Sequence, residues 1–301
     1  MFTSIFLILT VSSLHCCLAG AINRVKEIRC DCGIRNEGKR HLGIGDNVKT
    51  EFAGNHAWPW MTSIVNVSLP HDPVAYCGAT LINNQYILTA GHCIPDMQTS
   101  GLGNFRVWIG TNFITDLASD FDDYLDLEIS EIKSHPKFDF ETAEYDVALI
   151  KVSEPIKFSK RVRPICLTQP EENTLVGKIG VITGWGSLTL TTPTEEELKE
   201  SDVVIVTNEE CKKNYTTVDI PVLDTMLCGS VMTLDGQDPC KGDSGGPLML
   251  KVKNRITQIG IISHGQGCSS PAFPTIFSRM SKFIEWIQQN TQDALYCRGS
   301  F

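Results

Sequence analysis

Asp238-Pro239-Cys240-Lys241-Gly242-Asp243-Ser244-Gly245-Gly246-Pro247 is the stretch on which the reading of this chain turns. Glycines on both sides of Ser244 permit backbone geometries that other residues resist, and they let a second chain approach closely. The amide N–H groups of Gly242 and Ser244 can converge on one point and hold an oxyanion. A bare Gly-x-Ser-x-Gly match also fits an ordinary glycine-rich turn, but the longer string is far more specific. Pro247 opens an apolar segment, 247–252, and similar segments recur at 61–67, 79–90, 147–152, 178–183, 203–206 and 258–263. Gly, Pro, Asn or Asp clusters separate most of them. Many short strands with turn signals between them predict an antiparallel all-β barrel or sandwich, not alternating βα units. The exception is 281–289, where Phe283, Trp286 and Ile287 share a helical face and Ser281 can serve as the N-cap. There is no internal repeat and no low-complexity tract.

A serine hydroxyl is a poor nucleophile without a base. The best base in the sequence is His92, in Leu88-Thr89-Ala90-Gly91-His92-Cys93, at the end of an apolar run and beside a cysteine that can fix its backbone. A base of this kind needs an orienting carboxylate. Asp146 heads the apolar run Asp146-Val147-Ala148-Leu149-Ile150. A buried Asp demands a partner, and an imidazole Nδ1–H would serve. The competing reading is an exposed acid at a strand start.

The bulk properties bound the rest. The chain has 301 residues, 42% hydrophobic and 20% charged, with a net charge of -9. That balance fits an ordinary globular protein and disfavours nucleic acid or anionic membranes as partners. Residues 1–20 carry an apolar run and no Lys, Arg, Asp or Glu, and small residues follow at Ala19, Gly20 and Ala21. This reads as a secretory signal peptide, too short to span a bilayer. Of twelve Cys, Cys16 and Cys17 leave with it, and the even remainder suits a disulfide framework in an oxidising compartment. Zinc spacing is absent around Cys30-Asp31-Cys32. Asn66-Val67-Ser68 and Asn214-Tyr215-Thr216 are glycosylation sequons at Asn66 and Asn214. Residues 21–46 read as an irregular, charged leader, and 291–301 as a tail carrying Cys297. The acidic stretch with Asp116, Asp120, Asp122, Asp123 and Asp126 reads as a solvated loop rather than a calcium site.

Together, the strings around His92, Asp146 and Ser244 resemble the chymotrypsin/trypsin-like serine proteases, and their order matches that family. Ala53-Gly54-Asn55-His56-Ala57-Trp58-Pro59-Trp60, Thr183-Gly184-Trp185-Gly186 and Ser263-His264-Gly265-Gln266-Gly267-Cys268 add to the resemblance. The Cys30 to Gly33 leader is more loosely similar to secreted arthropod proteases of venom, saliva or haemolymph. The resemblance implies two packed six-stranded antiparallel β-barrels with a C-terminal helix, over a protease domain at 47–290. It implies catalysis by His92, Asp146 and Ser244, with Gly242 and Ser244 as the oxyanion hole. Asp238, Ser263, Gly265 and Thr275 would contact substrate, and Asp243 would pair with a new N-terminal ammonium after zymogen activation. It implies disulfides Cys77–Cys93, Cys211–Cys228 and Cys240–Cys268, and leaves Cys30 and Cys32 to pair with Cys166 and Cys297 in either order. A monomer is expected, acting on polypeptides and bound by protein protease inhibitors, with no cofactor or metal.

The sequence also departs from the family pattern. At the activation start stand Asn47-Val48-Lys49-Thr50, without the glycine pair, and Asp46 precedes them. Cleavage after the dibasic Lys39-Arg40 would begin the chain at His41, up to roughly 20 Å of extended chain too early. Thr275 falls where an open pocket usually has glycine, so it should narrow the base and screen Asp238. His264 stands where the family usually has Trp, and Lys241 beside Gly242 favours acidic groups near the cut. The expectation is therefore a secreted serine endopeptidase with a narrowed trypsin-like pocket and atypical activation. The alternative is a catalytically weak homologue that binds partners through the same surface.

Overall fold

A computed structural model describes residues 25–37, 50–68, 74–114, 124–167, 170, 174–186, 196–231, 243–266 and 273–301. Two strands precede the barrels, β1 (Lys26–Asp31) and β2 (Thr50–Phe52). The first barrel is built from β3 (Met61–Asn66), β4 (Val74–Leu81), β5 (Tyr86–Thr89), β6 (Phe105–Ile109), β7 (Leu125–Ser134) and β8 (Ala148–Val152). It closes in the order β3-β4-β5-β8-β7-β6. The 79–90 run, continuous in sequence, is broken between β4 and β5 because Asn83 Oδ1 captures the amides of Gln85 and Tyr86 at 2.9 and 2.7 Å. The short turn α1 (Ile94–Ser100) follows His92.

The second barrel uses β9 (Ile179–Gly184), β10 (Lys199–Val206), β11 (Met226–Val231), β12 (Pro247–Val252), β13 (Arg255–His264) and β14 (Thr275–Arg279). Its order is β11-β14-β13-β12-β9-β10, closed by pairing of β10 with β11. Residues 203–206 of β10 make that closure, while Lys199, Glu200 and Ser201 pair with β2. The architecture is thus two six-stranded antiparallel barrels, as the resemblance implied, and it settles the choice between barrel and sandwich that the strand pattern left open. Helix α2 (Asn208–Tyr215) lies between β10 and β11, capped by Thr207 Oγ1 on the Glu210 amide.

The two barrels share apolar contacts. Trp60, wholly buried in the first, points its Nε1 at Met249 Sδ of the second at 3.0 Å. Met249, Ile261 and Trp185 belong to the same continuous core as the first barrel's Ile64, Leu81 and Leu149. The C-terminal helix α3 (Ile284–Asn290) closes onto this core through Phe283, Ile284 and Ile287, with Trp286 partly buried beside them. Ser281 is not its cap: Met280–Lys282 form a 3-10 turn, and Phe283 occupies the cap position without a side-chain bond.

Within the segment read as an irregular leader, residues 26–31 form a strand. β1 pairs in parallel with β15 (Leu295–Arg298), inside what the sequence presented as a tail. Four disulfides occur among the described residues: Cys30–Cys297, Cys32–Cys166, Cys77–Cys93 and Cys211–Cys228. Cys30–Cys297 joins β1 to β15, and Cys32–Cys166 ties the residue after β1 to the segment bridged to Thr257 of β13, which resolves the order that sequence left open. Cys240 and Cys268 lie outside the described residues. No helix among the described residues is long and apolar enough to cross a membrane.

Candidate active site

Ser244 sits half-buried in the turn that enters β12, held by both barrels. Its carbonyl accepts from the Gly78 amide of β4 at 2.8 Å, and the Gly245 amide donates to Ile262 O of β13 at 2.8 Å. Gly245 has φ +84. A Cβ there would collide with Thr89 Oγ1 and Gly78 O, so this turn, pressed against the first barrel, requires glycine. Gly246 is restricted for a different reason: an added Cβ would stand 2.9 Å from Asp243 O.

His92 arrives from the other barrel, in a 3-10 turn (Gly91–Cys93) just beyond β5. The bridge from Cys93 to Cys77 of β4 fixes that turn, and Cys93 Sγ lies 3.8 Å from the Ser244 carbonyl oxygen. This brings the chain around His92 against the chain around Ser244. Asp146 precedes β8 and is 0% exposed, which removes the reading of an exposed strand-start acid. Its Oδ1 accepts the His92 amide and its Oδ2 accepts His92 Nδ1, both at 2.8 Å. Ser263 Oγ of β13 also donates to Oδ2, and Ser278 Oγ of β14 donates to the Asp146 carbonyl at 2.7 Å. The carboxylate therefore belongs to the first barrel by chain and to both by bonding.

These contacts set the protonation states. Burial pushes the Asp146 carboxyl up, but bonds from and charge on His92, with the Ser263 bond, bring it below the ordinary range. Burial also pulls the His92 imidazole down, yet the bond to Asp146 and its charge leave it above its usual 6.5. With Nδ1–H committed to Asp146, Nε2 is left as the basic nitrogen.

Asp243, 7% exposed, turns its carboxylate toward Gly184 and Gly186. Its Oδ1 accepts the Gly186 amide at 2.8 Å, and a Cβ on either glycine would overlap the carboxylate. Ser263, Gly265 and Thr275 line the region between β13 and β14. A Cβ on Gly265 would lie 3.9 Å from Thr275 Cα and 3.6 Å from Tyr215 Oη. Tyr215 escaped the sequence reading. It is 1% exposed and donates to Pro274 O at 2.7 Å, bracing the strand entry behind Thr275. Ser278 escaped too, since nothing in Ser278-Arg279 marks a bond to a residue so distant in sequence.

Asp238 and Gly242 lie outside the described residues, as do Lys241, Asn47, Val48 and the acidic positions 116–123. Asp126 is paired with Arg106 at 2.8 Å. Asn66 ends β3 with its Oδ1 on the Ser68 amide, and Asn214 stands in the last turn of α2.

A family described as Trypsin matches residues 47–287. Serine proteinase stubble of Drosophila melanogaster is 35% identical over 91% of this chain, which spans only 35% of that relative's length. The clotting factor G beta subunit of Tachypleus tridentatus is 31% identical, covering 86% of this chain and 82% of its own. The venom serine protease Bi-VSP of Bombus ignitus is 31% identical over 81% of this chain and 69% of its own. A buried Asp146 bonded to His92, a glycine-framed Ser244 held between two six-stranded barrels, and these similarities lead to one conclusion: the chain belongs to the trypsin family of serine proteases and is a serine endopeptidase.

Proposed function

We propose that Ser244, His92 and Asp146 cleave peptide bonds by way of an acyl-enzyme. Ser244 Oγ attacks the scissile carbonyl while His92 Nε2 takes its proton, and the imidazolium then protonates the leaving amine. Water, deprotonated by the same nitrogen, releases the acyl group. Asp146 holds His92 in the tautomer with Nδ1 protonated and stabilises the imidazolium. The amides of Gly242 and Ser244 receive the oxyanion, a role in which one donor is worth roughly 3–4 kcal/mol. The single observation that carries this reading is the wholly buried Asp146 with both carboxylate oxygens bonded to His92.

Polypeptides are the substrate class that the family implies. For P1 we propose a trypsin-like preference through Asp238, narrowed by Thr275, which faces Gly265 across the strand entry. Ser263 to Gly265 would pair with substrate backbone as an added strand. Protein protease inhibitors would occupy the same cleft of a monomer. Disulfides and the similarity to a venom protease and a clotting factor support an extracellular protein. In this proposal 1–20 is the signal peptide and 21–46 a leader kept by its disulfides. The protease domain is 47–290, 291–301 is the tail, and Asn66 and Asn214 carry glycans. The remaining bridge is Cys240–Cys268.

Activation is proposed to be unconventional, because no Ile- or Val-led glycine-pair start precedes Pro59. A fluorophosphonate probe tests the whole reading. An adduct at Ser244, before or after limited proteolysis, is expected; no adduct under either condition would leave the silent-homologue alternative.

A further inference from the structure

The register of β13 against β14 slips between Ile262 and His264, so Ser263 is an extra residue in the strand. In a regular strand consecutive side chains point to opposite faces. A bulge breaks that alternation and re-aims side chains. Here it brings Ser263 Oγ within 2.9 Å of His264 Nδ1, while the same hydroxyl reaches Asp146 Oδ2. Ser263 is 5% exposed, so its single proton has little access to water as an alternative acceptor.

Proton counting fixes the directions. An ionised carboxylate only accepts, and a serine hydroxyl has one proton to give. Ser263 gives that proton to Asp146, so its oxygen must accept from His264, whose proton therefore sits on Nδ1. Two imidazoles thus lean on one carboxylate. His92 donates to it directly, and His264 donates through the Ser263 hydroxyl. Each keeps Nε2 as its remaining basic nitrogen.

From this geometry we infer that His264 is a positioning residue of the catalytic site, which polarises Ser263 toward Asp146 and whose protonation opposes that of His92. The inference rests on the proposed triad. Among the described residues, the ionisable groups that act on His264 from packed elements are Asp146, before β8, and His92, beyond β5. β14 places the apolar Ile276 opposite it in register. Tyr215 of α2 is directed to Pro274 O. Burial lowers the basicity of His264, Asp146 partly restores it, and His92 lowers it further. Protons accordingly load first on His92 and then, at lower pH, on His264.

Two consequences follow. A neutral His264 strengthens the Ser263–Asp146 bond, because linked hydrogen bonds polarise one another, and this slightly weakens the pull of Asp146 on His92. A cationic His264 disfavours the imidazolium that His92 must become during the reaction. The acid limb of kcat/KM should therefore steepen beyond one proton at its low end. His264→Asn keeps a donor near the Nδ1 position but cannot titrate, and His264→Phe can neither donate nor titrate. Both should give a single-proton limb. The Phe variant should move the midpoint up by about 0.3–0.5 pH unit, and the Asn variant should stay near the parent. Three profiles of one shape and one midpoint would overturn the proposal.

An NMR titration of the histidine Cε1–H signals, made on the full chain carrying Ser244→Ala, gives a second readout that needs no turnover. The His92 signal should show a further inflection where His264 titrates, and His264→Asn should remove it. A single-step His92 curve in the parent background would also overturn the proposal. Hydrolysis persisting in Ser244→Ala would instead strike the triad itself, so the two failures are distinguishable.

Discussion

At Asp146 one carboxylate collects the His92 amide, the His92 ring and the Ser263 hydroxyl while wholly excluded from solvent. A carboxyl held below its ordinary 3.8 adds stability that is complete above that value and lost as pH falls through the lower folded value. An imidazole raised above 6.5 adds stability present below 6.5 and lost as pH rises through the higher folded value. Catalysis needs the neutral imidazole, so the midpoint of the acid limb of kcat/KM should lie above 6.5. Asp146→Asn keeps the shape but admits the wrong His92 tautomer, and kcat should fall by about 10^4-fold, the general magnitude for this triad. A loss of less than tenfold would mean that Asp146 does not orient the base.

Thr275 opens β14 with its Cα near Gly265. If its branched side chain narrows the pocket opposite Gly265, Thr275→Gly should raise kcat/KM for Arg and Lys P1 peptides by about tenfold or more. One or two removed carbons commonly change discrimination by 1–3 kcal/mol. Equal efficiency in both chains, measured on a peptide library, would show that Thr275 leaves the pocket open.

Among the elements, the parallel pair β1–β15 has the clearest energetic consequence. Two strands alone are marginal in water. This pair is held by Cys30–Cys297, by Cys32–Cys166 and by Arg255, which reaches Asp31 at 2.8 Å and Cys32 O at 3.1 Å. Farther along, Arg35 lies 4.0 Å over the Trp58 ring and pairs with the buried Glu200, which also accepts Trp58 Nε1 at 2.7 Å. Removing Cys30–Cys297 by paired Ser substitutions should cost about 2–4 kcal/mol and lower Tm by about 5–10 °C. Calorimetry that finds Tm unchanged would mean that the ladder and the second bridge hold the segment unaided. The turn entering β12 makes the complementary point: Gly245 is dictated by the first barrel's Thr89 and Gly78, not by its own barrel.

Over the whole molecule the site is a seam. Asp146 and His92 come from one barrel, and Ser244, Ser263 and Ser278 come from the other, so the geometry of the proposed triad depends on the shared core through Trp60, Met249 and Trp185. The same wholeness governs processing. A cut between residues 38 and 49 would separate β1 from β2, yet Cys30 and Cys32 are bonded to Cys297 and Cys166 beyond it. A processed sample should run as one band without reductant and as two with it. Release of the short segment without reductant would contradict those bridges.

The apolar segments determined by themselves the all-β class, and the strings around Ser244, His92 and Asp146 carried the family and the proposed triad. Strand alternation and a glycine-framed serine are local patterns, and local patterns survive in one dimension. Only the tertiary structure decided that Asp146 is buried, that Cys30 pairs with Cys297 and Cys32 with Cys166, that 26–31 is a strand, and that Tyr215 and Ser278 brace the site. It also moved the N-cap of the last helix from Ser281 to Phe283, because the chain leaves β14 by the 3-10 turn Met280–Lys282 before packing on the first barrel. Each of these depends on partners distant in sequence: a carboxylate is buried when an imidazole from a 3-10 turn far away in the chain arrives to bond it, and β1 exists because β15 lies beside it.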